Sequence, residues 1–131
     1  MPISEIPRRF ADLLGEVYSA ARGGALTLDG QNIFVYRNAA GGAVDVEFGV
    51  GTSGPFAPIG RVVPSATPSG EIATTTHWGD YSGLGGAHDA VVAWCKANAR
   101  QLTGTSWEVY GHWSDDPATR RTDVFYLLQR L

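Results

Sequence analysis

Apolar residues recur every three or four positions along two stretches of the chain, a pattern that predicts two amphipathic helices. Residues 6–23 form the first, with Ser4 as its N-cap and Gly23-Gly24 as its stop. Residues 80–100 form the second. Its apolar side is expected to carry Leu84, Ala87, Val91, Trp94 and Cys95. We therefore expect Trp94 to lie in the core and Cys95 to be a buried, unreactive thiol.

Short runs rich in Val, Ile, Thr and aromatic residues predict five strands. These runs cover residues 32–37, 43–50, 71–78, 106–113 and 122–128. The segment 51–70 contains four prolines and four glycines, which predicts an irregular connector. Because Phe56, Val62 and other apolar residues lie in it, we expect the connector to pack on the fold rather than to hang free.

The two halves of the chain repeat one pattern. A shift of 74 positions places Tyr36 on Tyr110 and Gly30 on Gly104. Each half reads as a helix followed by a hairpin, and the second half has an extra leading strand at 71–78. Few residues precede the first helix, so the repeat predicts that the first half lacks its opening strand.

Length and composition narrow the class of protein. The chain has 131 residues, 44% of them hydrophobic, a formal net charge of −3 and one cysteine. This indicates one soluble domain without an intramolecular disulfide. The chain also lacks the excess of basic residues that is typical of nucleic-acid-binding proteins. No apolar run is long enough to span a membrane, and no secretory signal is present. We expect a cytoplasmic monomer or homodimer that binds neither nucleic acid directly nor a membrane.

Two motif checks give no cofactor. Residues 49–54 fit the G-x-G-x-x-G pattern, but Pro55 and Pro58 exclude the helix that a nucleotide phosphate would need. The three histidines, His77, His88 and His112, lie on three different elements without metal-ligand spacing. We therefore expect no metal and no cofactor, and we expect each histidine to be a surface or structural residue.

One strand carries a candidate for chemistry. Alternation along 106–113 puts Glu108 on a face with Tyr110, and Trp107 on the other face. The alternation alone favours a glutamate facing solvent. The alternative is a carboxylate inside an aromatic pocket, where it needs a partner or a proton. Such a site would suit a planar organic cation.

Three segments resemble the GyrI-like small-molecule-binding domain, the family that includes the effector-binding domains of multidrug-sensing regulators. They are EIATTTHWGDYSGL, SWEVY and TDVFYLL, all within residues 71–128, and the resemblance extends more weakly over 5–50. It implies an α+β fold of two β-α-β-β modules related by pseudo-twofold symmetry, with antiparallel sheets, two helices and a ligand groove between the modules. We expect a single domain over 1–131, with module one at about 4–50, the connector at 51–70 and module two at 71–131.

The resemblance also implies site residues. It makes Glu108 the acidic group of the pocket, and it makes Tyr110, Tyr81 and Tyr36 aromatic groups around it, although Asp80 replaces the proline that the family has before Tyr81. On this ground we favour a pocket role for Glu108. The expected ligand-binding set is Glu108, Tyr110, Tyr36, Tyr81, Trp107 and Phe34, the last being the residue that the repeat places opposite Glu108.

Three functions are compatible with this sequence. The leading one is a stand-alone protein that binds or sequesters an amphipathic, aromatic or cationic small molecule. The alternative is a cofactor-free hydrolase that opens strained, cyclopropane-type natural products, with Glu108 activating water and Tyr81 or Tyr110 holding the substrate. A third is an inhibitor that binds DNA gyrase. No helix-turn-helix pattern precedes the domain, so direct control of transcription is not expected.

Overall fold

The computed structural model describes residues 5–38, 40–111 and 114–130 of an α+β chain. The predicted cap Ser4 and the predicted strand end at His112 and Trp113 lie outside these residues. The described elements are α1 (Ile6–Arg22), β1 (Leu28–Asn38), β2 (Val44–Thr52), β3 (Ile72–Trp78), α2 (Leu84–Ala97), β4 (Leu102–Tyr110) and β5 (Arg121–Leu128). Neither of these two helices is long and apolar enough to cross a bilayer. The chain divides into two compact units, which meet between Thr67 and Pro68 in the sequence.

The first unit pairs β1 and β2 as an antiparallel ribbon. Phe34 lies opposite Phe48 in this ribbon. Helix α1 packs on the face that carries Phe34, because the Phe10 ring lies 6.5 Å from the Phe34 ring and the Tyr18 hydroxyl donates to Asn32 Oδ1 at 2.6 Å. Within the predicted apolar stripe Leu14 is buried, whereas Phe10 is 42% exposed.

The second unit is a three-stranded antiparallel sheet in the order β4-β5-β3, with α2 on one face. Val91 and Cys95 of α2 form its core together with Ala73 and Leu128. Cys95 is only 1% exposed, which confirms the prediction of a buried thiol.

The strand that follows the helix in each unit, β1 or β4, has the same irregularity. The register shifts between Leu28 and Asn32 in β1, and between Leu102 and Ser106 in β4. Gly30 and Gly104 lie inside these shifts with φ of 96° and 93°, a conformation that glycine adopts without steric cost. The predicted strands began after these glycines because a glycine interrupts a hydrophobic pattern, so both predicted starts were four residues too late.

Two predictions for the second helix were wrong. Helix α2 covers Leu84–Ala97 rather than 80–100, because a 3₁₀ turn precedes it and Ala99, with φ of 55°, follows its end. Trp94 is 51% exposed and does not belong to the core. The stripe that faces the sheet runs through positions 84, 88, 91 and 95, which turns position 94 towards the flank of the helix.

The connector packs on the first unit, as predicted. Ile59 and Val62 form an isolated bridge, and Val62 is buried. The Arg61 guanidinium donates to both carboxylate oxygens of Glu16 on α1, at 3.1 and 2.7 Å. These contacts hold the irregular segment against the fold.

Candidate functional site

Glu108 is a buried carboxylate on the face of β4 that α2 covers. It is 5% exposed and lies opposite Val124 of β5, which is fully buried. Strand alternation puts Ser106 and Tyr110 on the same face as Glu108. A carboxylate removed from water in this way is costly unless hydrogen bonds compensate for the lost solvation.

Donors on α2 and β4 compensate Glu108. His88 Nε2 donates to Oε2 at 2.6 Å, and the Tyr110 hydroxyl donates to Oε1 at 2.7 Å. Both bonds are short, as is usual for hydrogen bonds to an ionised group. His88 comes from α2 and Tyr110 from the same strand as Glu108, so helix and sheet together fix the position of the carboxylate.

A second phenol continues this network on the other side of His88. The other ring nitrogen of His88, Nδ1, forms a hydrogen bond with the Tyr126 hydroxyl, 2.7 Å away. Burial raises the pKa of Tyr126, and the nearby Glu108 carboxylate raises it further. Tyr126 therefore keeps its proton at neutral pH, and Tyr126, His88, Glu108 and Tyr110 form one hydrogen-bonded chain.

Aromatic and cationic side chains extend from these hydrogen-bonded residues towards solvent. The Tyr81 ring lies 5.5 Å from the Tyr110 ring in an edge-to-face arrangement, and Tyr81 is 36% exposed. The Arg120 guanidinium lies 5.9 Å from the centre of the Tyr81 ring and 3.9 Å from an Asp80 carboxylate oxygen. Tyr81 thus joins the buried part of the site to the surface of the second unit.

The structure brings Glu108, Tyr110 and Tyr81 together in the second unit. Trp107 is buried on the opposite face of the sheet, where its ring stacks on Phe125 at 5.3 Å. Phe34 and Tyr36 belong to the first unit. Phe34 is buried edge-to-face against Phe48, and Tyr36 is half-buried opposite Val46.

Sequence reasoning missed His88, Tyr126 and Arg120. A signal for His88 was present, since it follows Leu84 by four positions and precedes Val91 by three, on the stripe that faces the sheet. The metal-ligand test applied to the histidines could not detect it, because its partner is a single carboxylate. Within the described ranges, no group of three or more His, Cys, Asp or Glu side chains could hold a metal ion.

Comparison with known proteins identifies the fold. No family model and no curated protein matches the chain. A crystal structure of the C-terminal domain of EcmrR superposes with a TM-score of 0.75 at 23% identity, covering 99% of this chain and 85% of that one. A cryo-EM structure of an EcmrR–DNA complex gives a TM-score of 0.73 at 20% identity, covering 93% of this chain and 49% of that one. At this identity the likeness shows the fold, which is that of the EcmrR C-terminal domain.

Proposed function

We propose that this chain binds a small, amphipathic compound, aromatic or cationic, at the Glu108 site of its second unit. The observation that carries the proposal is the buried Glu108 carboxylate, held at 2.6 Å by His88 and at 2.7 Å by Tyr110. Ligand pockets characteristically combine apolar walls with a few fixed polar groups. The fold shared with the EcmrR C-terminal domain and the resemblance to GyrI-like domains support the same function.

The charge of the site favours a ligand that brings a positive group or a hydrogen-bond donor. A carboxylate accepts up to about four hydrogen bonds, so a ligand donor shares Glu108 with the His88 and Tyr110 donors. Because Glu108 is 5% exposed, little solvent screening weakens that contact. Both protein donors come from ordered elements, so the carboxylate needs little rearrangement on binding.

The aromatic groups favour a flat or polyaromatic ligand body. Tyr81 and Tyr110 form an edge-to-face pair that reaches from the buried carboxylate to the surface. The Arg120 guanidinium on the Tyr81 ring is an example of a cation attracted to this ring. We keep Tyr36 and Phe34, which the family resemblance and the repeat select, as proposed ligand contacts of the first unit. We assign Trp107 to sheet packing, because it stacks on Phe125 on the face away from Glu108.

Binding of an aromatic cation tests the proposal. The probe is tetraphenylphosphonium, measured by isothermal titration calorimetry against neutral triphenylphosphine oxide. The cation should bind more tightly, and Glu108→Gln should weaken it at least about tenfold, as expected for a lost contact with a charged group. The matched control is Asp89→Asn, which removes the same charge from an exposed position next to His88 on α2. Equal affinities of the wild type and the Glu108→Gln protein for the cation would contradict the assigned role of Glu108.

The hydrogen-bonded chain favours one second candidate, hydrolysis of a strained electrophile. A water bound at Glu108 would give its proton to the carboxylate while its oxygen bonds to a cyclopropane carbon. The ring carbon–carbon bond would break, and its electron pair would move to a conjugated carbonyl oxygen that takes up a proton from solvent. His88, held by Tyr126 at 2.7 Å, would keep the carboxylate oriented during this step.

Product analysis separates the two candidates. A cyclopropane-containing alkylating natural product is incubated with the protein, and the water adduct is quantified by mass spectrometry. A hydrolase forms the adduct faster than buffer does, and Glu108→Gln abolishes the excess while Asp89→Asn retains it. Tight binding of the compound with adduct formation at the buffer rate rules out the hydrolase and leaves the binding function.

A further inference from the structure

The first unit contains a cleft whose lining residues all belong to that unit. It has a volume of about 360 Å³ and lies between the β1–β2 ribbon and the connector. Ile33 and Val35 alternate with Phe34, so their side chains lie on the opposite face of the ribbon from Phe34. The apolar lining comprises Val17, Leu26, Ile33, Val35, Phe56 and Val62.

Two glycines of β2 make room for this cleft. Neither Gly49 nor Gly51 has a positive φ, so they are there for space rather than for backbone conformation. A Cβ at Gly51 would lie 2.3 Å from Asp29 Oδ1, which means that the Asp29 carboxylate occupies the space of the missing side chain. The Asp29 carboxylate therefore covers the Gly51 backbone in the lining of the cleft.

The cleft lining contains two acidic side chains, Glu47 and Asp29. They differ in how many partners neutralise their charge. Glu47 is paired with Arg37 at 2.9 Å and accepts from the Ser65 hydroxyl at 2.9 Å. Asp29 accepts a long bond of 3.3 Å from the Gln31 backbone N–H. Among the described residues no cation pairs with Asp29. An acidic group without a counter-ion thus stands beside an apolar cleft.

We propose that this cleft is a second binding site, for a small organic compound with a primary ammonium group on an apolar body. The ammonium pairs with Asp29, and the body lies over the Gly49 backbone against Val35 and Phe56. Two carboxylates disfavour an anionic ligand. A divalent cation is disfavoured because Ca²⁺ requires about six to eight oxygen ligands, more than one uncompensated carboxylate supplies.

Benzylamine, which is protonated at neutral pH, is the probe, and benzyl alcohol is its neutral counterpart. Each is titrated into the full ¹⁵N-labelled chain and followed by amide chemical shifts. We expect benzylamine to shift the amides of Asp29, Gly49 and Gly51 and to bind roughly tenfold more tightly than benzyl alcohol. Added salt should reduce this preference, since the pairing is between charges near the surface.

Two variants and two controls make the test decisive. Asp29→Asn should remove the preference for benzylamine, and Gly51→Ala should do the same by displacing the Asp29 carboxylate. Asp45→Asn, which removes an exposed carboxylate on β2, should leave the preference for benzylamine unchanged. Glu108→Gln should leave the benzylamine-induced shifts of the Asp29, Gly49 and Gly51 amides unchanged, which separates this site from the one in the second unit. Equal binding of amine and alcohol, an unchanged preference in Asp29→Asn, or shifts confined to residues around Glu108 would each overturn the proposal.

Discussion

His88 Nε2 on α2 lies 2.6 Å from Glu108 Oε2 on β4, and this contact joins the helix to the sheet of the second unit through two ionisable groups. The Glu108 side chain is 6% exposed and the His88 side chain 22%. Water therefore reaches the carboxylate poorly and cannot readily replace the imidazole as donor. The contact links α2 to the sheet and is also the centre of the proposed site.

Removing the imidazole should destabilise the second unit. We expect His88→Ala to lower the free energy of unfolding by about 2–3 kcal/mol, because it leaves a buried carboxylate without one of its donors. Urea denaturation measures the change. His77→Ala is the control, since His77 Nε2 contacts the Asp80 backbone oxygen in an exposed position. Equal losses for the two variants would contradict the importance of the His88–Glu108 pair.

Stability at alkaline pH should depend on Tyr126. Its pKa in the folded protein is raised above the ordinary value of 10.0, chiefly by burial and then by Glu108. The unfolded chain therefore loses this proton at a lower pH than the folded protein does. The associated stability is complete below pH 10.0 and is lost as the pH rises through the folded-state pKa.

The matching measurement is the free energy of unfolding of the wild type and of Tyr126→Phe across this pH range. Tyr126→Phe should start about 1 kcal/mol lower at neutral pH, because it loses the hydrogen bond to His88. The difference in unfolding free energy between the two proteins should narrow above pH 10.0, because only the wild type has a Tyr126 hydroxyl that loses its proton there. A constant gap would show that Tyr126 titrates alike in the folded and unfolded states.

The sequence pattern predicted both helices, all five strands and the packed connector, because each leaves a periodic or compositional signal. It could not predict where β1 and β4 begin, since Gly30 and Gly104 extend these strands through bulges that only the backbone geometry shows. It also misplaced Trp94. A tryptophan three positions after Val91 fits an apolar stripe, and only the direction of the sheet decides which flank of that stripe is covered.

The candidate site was predictable in part for a similar reason. Glu108 and Tyr110 lie two positions apart in the segment SWEVY. Tyr81 lies in the segment EIATTTHWGDYSGL, which also carries the family resemblance. His88 and Tyr126 are separated from their partners by 20 and 38 positions. Their meeting depends on the register that sets Ser106 opposite Tyr126 and on how α2 lies over the sheet. No spacing rule along the chain contains that information.

A buried hydroxyl on β5 offers a stabilising substitution. Thr122 is fully buried, and its Oγ1 has no hydrogen-bond partner among the described residues. Thr122→Val removes an unsatisfied polar group while keeping the shape, so we expect a gain in unfolding free energy of about 1 kcal/mol. Thr74→Val should instead lose about 1 kcal/mol, since Thr74 Oγ1 donates to the Val124 carbonyl at 2.8 Å. Urea denaturation that gives both variants the same sign of change would contradict this explanation.

The glycines at the start of α2 should respond differently to alanine. A Cβ at Gly85 or Gly86 meets nothing within 4 Å. Alanine there should raise the unfolding free energy by about 0.5–1 kcal/mol each, because it restricts the unfolded chain and favours the helix. A Cβ at Gly83 would lie 3.0 Å from His77 Cε1, and the His77 ring is held by its contact with the Asp80 backbone oxygen at 2.8 Å. Gly83→Ala should therefore bring no gain in thermal denaturation, and a gain equal to that of Gly85→Ala would show that the His77 ring moves aside freely.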